Sequence, residues 1–177
     1  MKRLSFVILG FALAAAGCSS DSSNPNGPNN PNTPTFTATL SPANEVPAVT
    51  DAEGAGSGSV TVTLNVTRDA AGNVTNGTAT FVTTLTGFPP NTPINIAHIH
   101  QAPAGSNGSI VVNTGLTAAS DAVVLANGSG TFTKGGVTVQ DQSIWNAIIN
   151  NPAGFYFNVH STLHPGGVAR GQLVKVQ

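Results

Sequence analysis

The chain is nearly without cysteine and poor in charge, and each shortage excludes a class of protein. Its one cysteine, Cys18, among 177 residues has no partner for an intrachain disulfide, so stability must come from packing. A cysteine-built zinc site, which needs several thiolates, is excluded for the same reason. Charged residues make up 7% of the chain and Lys plus Arg number six, too few for the basic patch that nucleic acid requires. The composition cannot build long amphipathic helices, which draw on Glu, Lys and Leu. What is abundant instead is Thr, Ser, Asn and Gly. Solubility therefore rests on neutral polar groups, and a Thr/Val-rich, low-charge chain suits β-strands.

The first residues have the layout of an export signal. Lys2 and Arg3 precede a stretch, Leu4 to Ala16, that is apolar apart from Ser5 and Gly10. That run is shorter than the ~20 apolar residues a membrane-spanning helix needs. It ends in Ala15-Ala16-Gly17-Cys18, which resembles the lipobox of bacterial lipoproteins, with Ala15 where Leu is usual. The resemblance implies that residues 1–17 are a signal peptide cut before Cys18. It further implies that Cys18 is lipidated on its sulfur and new amino group, palmitate being a typical chain. Ser19 after the cysteine implies the outer membrane in a two-membrane cell. Each buried CH₂ adds ~0.8 kcal/mol to membrane binding, so several chains anchor stably. The plainer alternative is an ordinary secretory signal followed by an unmodified cysteine. Cleavage would leave Arg68, Lys134, Arg170 and Lys175 against seven acidic residues, a net charge of −3.

Residues 18–35 follow as a Ser/Asn/Pro-rich linker with no large apolar side chain, a disordered tether by composition. Residues 36–177 read as one domain. Strand patterns occur at Phe36–Leu40, at Gly58–Thr67 with Val60, Val62, Leu64 and Val66 on one face, and at Val74–Leu85 after a turn over residues 68–73. Further strands are predicted at Ile94–His100, Ser109–Asn113, Val123–Leu125, Gly130–Lys134, Phe155–Ser161 and Val168–Val176. One helix is predicted after Asp141, with Ile144, Trp145, Ile148 and Ile149 at helical spacing and a stop at Asn150-Asn151-Pro152. Trp145 would close one end of the core. Short strands at this spacing predict an all-β fold, a Greek-key sandwich of immunoglobulin or superoxide dismutase type with one short helix.

The four histidines carry the most chemical information. His98 and His100 stand two apart on a predicted strand, on the same face with Cα atoms about 6.5–7 Å apart. Imidazoles so placed can converge on one ion at ~2.0–2.1 Å each. His160 ends another strand whose Phe155, Phe157 and Val159 take the core face, leaving Tyr156, Asn158 and His160 opposite; His164 follows in a Pro/Gly-rich loop. Imidazole-only ligation suits copper or zinc, whereas calcium and magnesium want carboxylates. The bland alternative is that the four are ordinary polar residues. Glu45 and Asp51 fall in a polar loop and form no acid/base pair, and no G-x-S-x-G elbow or Lys-bearing phosphate loop is present.

Several segments resemble the CHRD domain, named from chordin. They are Phe36-Thr37-Ala38-Thr39-Leu40-Ser41 with Asn44-Glu45-Val46-Pro47, then Ala97-His98-Ile99-His100 with Gly105 and Gly108-Ser109-Ile110-Val111-Val112. Asn151-Pro152-Ala153, Tyr156-Phe157-Asn158-Val159-His160-Ser161 and Pro165-Gly166-Gly167-Val168-Ala169-Arg170-Gly171-Gln172-Leu173 complete the match. The family usually carries an acidic residue near Val168, which is missing here.

A fainter likeness runs from Leu85-Thr86-Gly87-Phe88-Pro89-Pro90 into Ile96-Ala97-His98-Ile99-His100. It is similar to copper,zinc superoxide dismutases, in which a turn precedes a His-x-His strand. That resemblance implies copper ligation by His98, His100 and His160, with Arg170 steering an anion; the alternative for Arg170 is a structural pair. No zinc-ligand loop lies between Gln101 and Ser109, and no bridging histidine is identifiable, so dismutase activity does not follow. The preferred reading is a non-catalytic envelope binding module, lipid-anchored at Cys18, with an envelope or extracellular protein partner and a copper or zinc site. A copper redox enzyme is the second reading, and a purely structural interaction domain is the third.

Overall fold

A computed structural model describes residues 30–177; the expected signal peptide (residues 1–17), Cys18 and residues 19–29 of the expected linker lie outside the described residues. The elements in order are β1 (Thr35–Leu40), β2 (Ser57–Arg68), β3 (Val74–Thr86), β4 (Thr92–Gln101), β5 (Ser109–Asn113), β6 (Val123–Leu125), β7 (Gly130–Thr138), α1 (Gln142–Asn150), β8 (Phe155–Ser161), β9 (Ala169–Gln172) and β10 (Val174–Lys175). They form two antiparallel sheets, ordered β10-β1-β2-β3-β7 and β5-β4-β8-β9, with β6 also pairing with β4. The chain crosses between sheets after β3, β6, β7 and β9, so the fold is the expected Greek-key sandwich with one helix. No helix among the described residues is long and apolar enough to cross a membrane.

The core follows from side-chain alternation. Val60, Val62, Leu64 and Val66 of β2 point inward and are buried, as are Ala79, Phe81 and Leu85 of β3. They meet Ala97 and Ile99 of β4 and Phe155, Phe157 and Val159 of β8. Phe81 and Phe157 stack across the sheets, with centroids 5.9 Å apart and planes at 22°. Asp69 closes the β2–β3 turn by accepting from the backbone N–H groups of Ala71 and Asn73, and Gly72 supplies the left-handed φ of 84°. At the helix start Asp141 accepts from the Ser143 and Ile144 N–H groups. The helix buries Trp145 and Ile148 against the core, and Asn146 Oδ1 accepts from Val74 N–H. Trp145 thus caps one end of the sandwich.

Several strand ends move by one or two residues from the sequence reading, and three departures are larger. Val168–Val176 is two strands, because the chain leaves the second sheet at Leu173, whose N–H donates to Phe155 O, and joins the first as β10. Strand β7 runs on to Thr138, with a register shift against β3. The end of the linker is also engaged: Leu64 N–H donates to Pro34 O, Val66 N–H to Asn32 O, and Arg68 to Pro31 O. Proline lacks an N–H but keeps its carbonyl acceptor, so this segment lies along β2 despite its low hydrophobicity.

Truncating the aromatic contact between the sheets creates a cavity that rigid strands cannot fill. Phe157→Ala is expected to cost ~3–5 kcal/mol in urea denaturation, whereas Val82→Ala, at a 41% exposed position, should stay within ~0.5 kcal/mol.

Candidate metal centre

The outward face of the second sheet is polar, and its strand register aligns the groups. His98 of β4 lies opposite Asn158 of β8, which lies opposite Arg170 of β9; beside this row run His100, Tyr156 and Gln172. Directly opposed residues on one face sit about 4.5–5.5 Å apart at Cβ. A register shift between Ile94 and Ile96 places Ile96 opposite His160. This face is not bathed in solvent. Loops at residues 41–55, 102–108 and 162–167 roof it, so His98, His100, His160, Asn158, Tyr156 and Arg170 are all buried.

Among the described residues, His98, His100 and His160 form the one group of metal-ligating side chains whose donor atoms all lie within 4.8 Å of one another. Hydrogen bonds choose the tautomers. His100 Nδ1–H donates to Gly108 O at 3.0 Å, and His160 Nδ1–H donates to Pro165 O at 2.9 Å. Each ring therefore presents an Nε2 lone pair. His98 Nδ1 faces His160 Nε2 at 3.4 Å, and its N–H is the donor there. The Nε2 of His100 is buried without a hydrogen-bond partner. Backbone carbonyls that hold the far nitrogen of an imidazole are the usual support of a metal-binding histidine, so the residues present fit a borderline cation such as copper or zinc. Burial, followed by the adjacent His160 and His100, pushes the His98 pKa down to about 4. Burial also lowers His100 and His160, outweighing their carbonyl bonds. The imidazoles are neutral at pH 7, the state that binds metal without competition from protons.

His164 lies apart from this group. Its Nε2 is 2.9 Å from Asp51 Oδ2 and 3.8 Å from Glu53 Oε2, so it pins the 162–167 loop to the 41–55 loop. Its position in the roof turns its ring toward those carboxylates instead of the strand face. Glu53 accepts in turn from Ser161 Oγ at 2.5 Å.

Arg170 is 3% exposed and committed to the roof. Its Nε–H donates to Asn44 O at 2.6 Å and Nη1–H to Asn107 Oδ1 at 2.9 Å, and Glu45 Oε2 is 3.9 Å away. The guanidinium lies 4.6 Å over the Tyr156 ring, and Tyr156 stacks on His100 at 4.8 Å and 4°. These contacts give Arg170 a structural role in the roof, while its Nη2 is buried without a hydrogen-bond partner.

Sequence reasoning put Glu45 in a polar loop and Tyr156 on the face of His160 without giving either a role, and it passed over Asn107. Glu45 is buried, and burial raises its pKa to about 7 in spite of Arg170. Asn107 joins the roof loops, accepting from Arg170 and donating to Val46 O at 2.8 Å. Tyr156 shares the strand parity of His160, which was the available signal; nothing local marks Glu45 or Asn107.

The family model described as the CHRD domain matches residues 36–173. No curated protein matches the chain.

Depressed histidine pKa values mean that the unfolded chain takes up protons first, so their effect on stability is absent above about pH 6.5 and grows as pH falls toward 4. Glu45, raised to about 7, works the other way: its folded form holds the proton, and the stability this gives is lost as pH rises through 7. Thermal melts of the metal-free protein should show Tm falling from pH 7 to pH 5. His98→Gln should flatten that fall and Glu45→Gln should steepen it.

Proposed function

The chain belongs to the CHRD-domain family, and on that premise we propose a non-catalytic binding module held at the bacterial cell envelope, with a three-histidine transition-metal site. His98, His100 and His160 are the ligands, and the metal is copper or zinc. The observation that carries this reading is the pinning of His100 and His160 through Nδ1 to Gly108 and Pro165, with the His100 Nε2 buried and unpartnered. A buried imidazole nitrogen without a partner costs free energy, and a shared cation relieves it. When bound, the metal supplies a Lewis-acidic centre. The chain's own residues orient the rings, exclude water and keep protons off the donor nitrogens. Arg170 and Tyr156 brace His100 from one side and the Asn107-Gly108 turn braces it from the other. The copper redox reading stands second: Asn44 and Asn107 hold Arg170 Nε and Nη1, and its remaining nitrogen, Nη2, is buried without a partner.

The anchor of the module is Cys18, lipidated after removal of residues 1–17, with the linker holding the domain off the membrane, in a two-membrane cell the outer one. Protein partners at the envelope or outside the cell suit a surface with a net charge of −3 after signal removal.

Two experiments test these statements. Metal analysis after equilibration with copper or zinc and extensive dialysis should find about one equivalent on the wild type. His98→Ala or His160→Ala should lose it while keeping the far-UV spectrum. Asn107→Ala, which touches no ligand directly, should weaken binding by about 10–100-fold; retention unchanged in all three variants would sink the metal site. For the anchor, radiolabelled palmitate should enter the wild type and not Cys18→Ser, with the variant moving from the membrane to the soluble fraction.

A further inference from the structure

Beside the triad lies a cleft of about 480 Å³ that the metal reading leaves unused. Small-molecule sites commonly occupy about 300–1,000 Å³, mostly apolar with a few placed polar groups. The cleft is of that size, with polar and apolar surface in near-equal shares: Glu45, His100 and Tyr156 are buried polar groups in its lining, and Val46, Val49, Leu163 and Pro165 supply apolar surface. Val46 and Leu163 are 39% and 63% exposed, so apolar carbon faces the opening.

Glu45 is the decisive residue. It is 7% exposed, and its Oε1 is buried without a hydrogen-bond partner, as is His100 Nε2. Both are acceptors: His100 Nε2 because the ring has its proton on Nδ1, facing Gly108 O, and Glu45 Oε1 in the ionised carboxylate, the form present above pH 7. The complement is a molecule that donates. A cation is disfavoured, since Arg170 stands 3.9 Å behind the other Glu45 oxygen. An anion is disfavoured by Glu45 and Asp51, and no Lys or Arg lines the cleft. A neutral hydroxyl donor on a flat apolar body satisfies both the acceptors and the wall.

We propose that this cleft binds a small neutral hydroxyaromatic molecule of the catechol class, whose hydroxyl donates to Glu45 Oε1 while its ring lies against Val46, Val49 and Leu163. In the metal-free protein an adjacent hydroxyl meets the second acceptor, His100 Nε2. The inference goes beyond the metal site and does not require it, because Glu45 is not among the grouped ligands.

Isothermal titration of catechol at pH 8, where Glu45 is ionised, into the purified, metal-stripped protein tests it. One saturable event is expected. Glu45→Gln, which keeps the shape, should weaken binding by about tenfold, the effect of exchanging a charged acceptor for a neutral amide oxygen. Leu163→Trp, at an exposed position, should fill the cleft and abolish binding without unfolding the protein. His98→Ala removes the metal site but does not line the cleft, and should bind catechol as the wild type does. Absence of saturable binding by the wild type would overturn the proposal. So would unchanged affinity in both Glu45→Gln and Leu163→Trp, or loss of catechol binding in His98→Ala. Catechol binding by a wild type that retains no metal would support this inference and remove the metal reading alone.

Discussion

The guanidinium of Arg170 holds the polar face of the second sheet together. A buried cation must spend its donors on acceptors at fixed positions, since an unpaired charge in the interior is costly. Here Nε reaches the Asn44 carbonyl, Nη1 reaches the Asn107 amide, and the planar group rests on Tyr156, while Nη2 is buried without a partner and Glu45 Oε2 stands 3.9 Å from Nε. Backbone pairing of Ser41 with Arg170 adds two more bonds between the 41–55 loop and β9. One side chain therefore ties two loops to the strand face and excludes water from the histidines beneath them.

That exclusion sets the chemistry of the site. Imidazoles on an open strand face would titrate near their ordinary value, whereas beneath the roof burial favours the neutral form in all three. The same burial acts in the opposite sense on Glu45, where neutrality means keeping a proton. The carbonyls of Gly108 and Pro165 belong to the roof as well, so the loops that exclude water also select which nitrogen each ring presents. The His164–Asp51 pair joins two of these loops at their margin.

The strand pattern was largely legible in the sequence, because inward Val, Leu and Phe alternate with Thr and Asn, and a pleated sheet with one buried face imposes that period. His98 and His100 announced a shared face by their spacing, and His160 fell on the correct parity of its own strand. His164 was placed less well. It sits in a loop, where sequence distance to His160 carries no direction, and the carboxylates of Asp51 and Glu53 are more than one hundred residues away along the chain. The break at Leu173 was hidden because two strands in different sheets can share one uninterrupted alternation. Membership of the CHRD family was readable from the motifs at residues 97–100 and 156–161, which lie within the family match over residues 36–173.

By itself the sequence determined the all-β class, the absence of disulfide support, and the faces on which the histidines stand, since composition and a two-residue period act locally. Only the tertiary structure decided that the outward face is roofed, that Glu45 is buried, and that Arg170 braces the site. Those outcomes depend on contacts between loops separated by 63 to 126 residues, and no local pattern encodes which distant partner a buried charge will find.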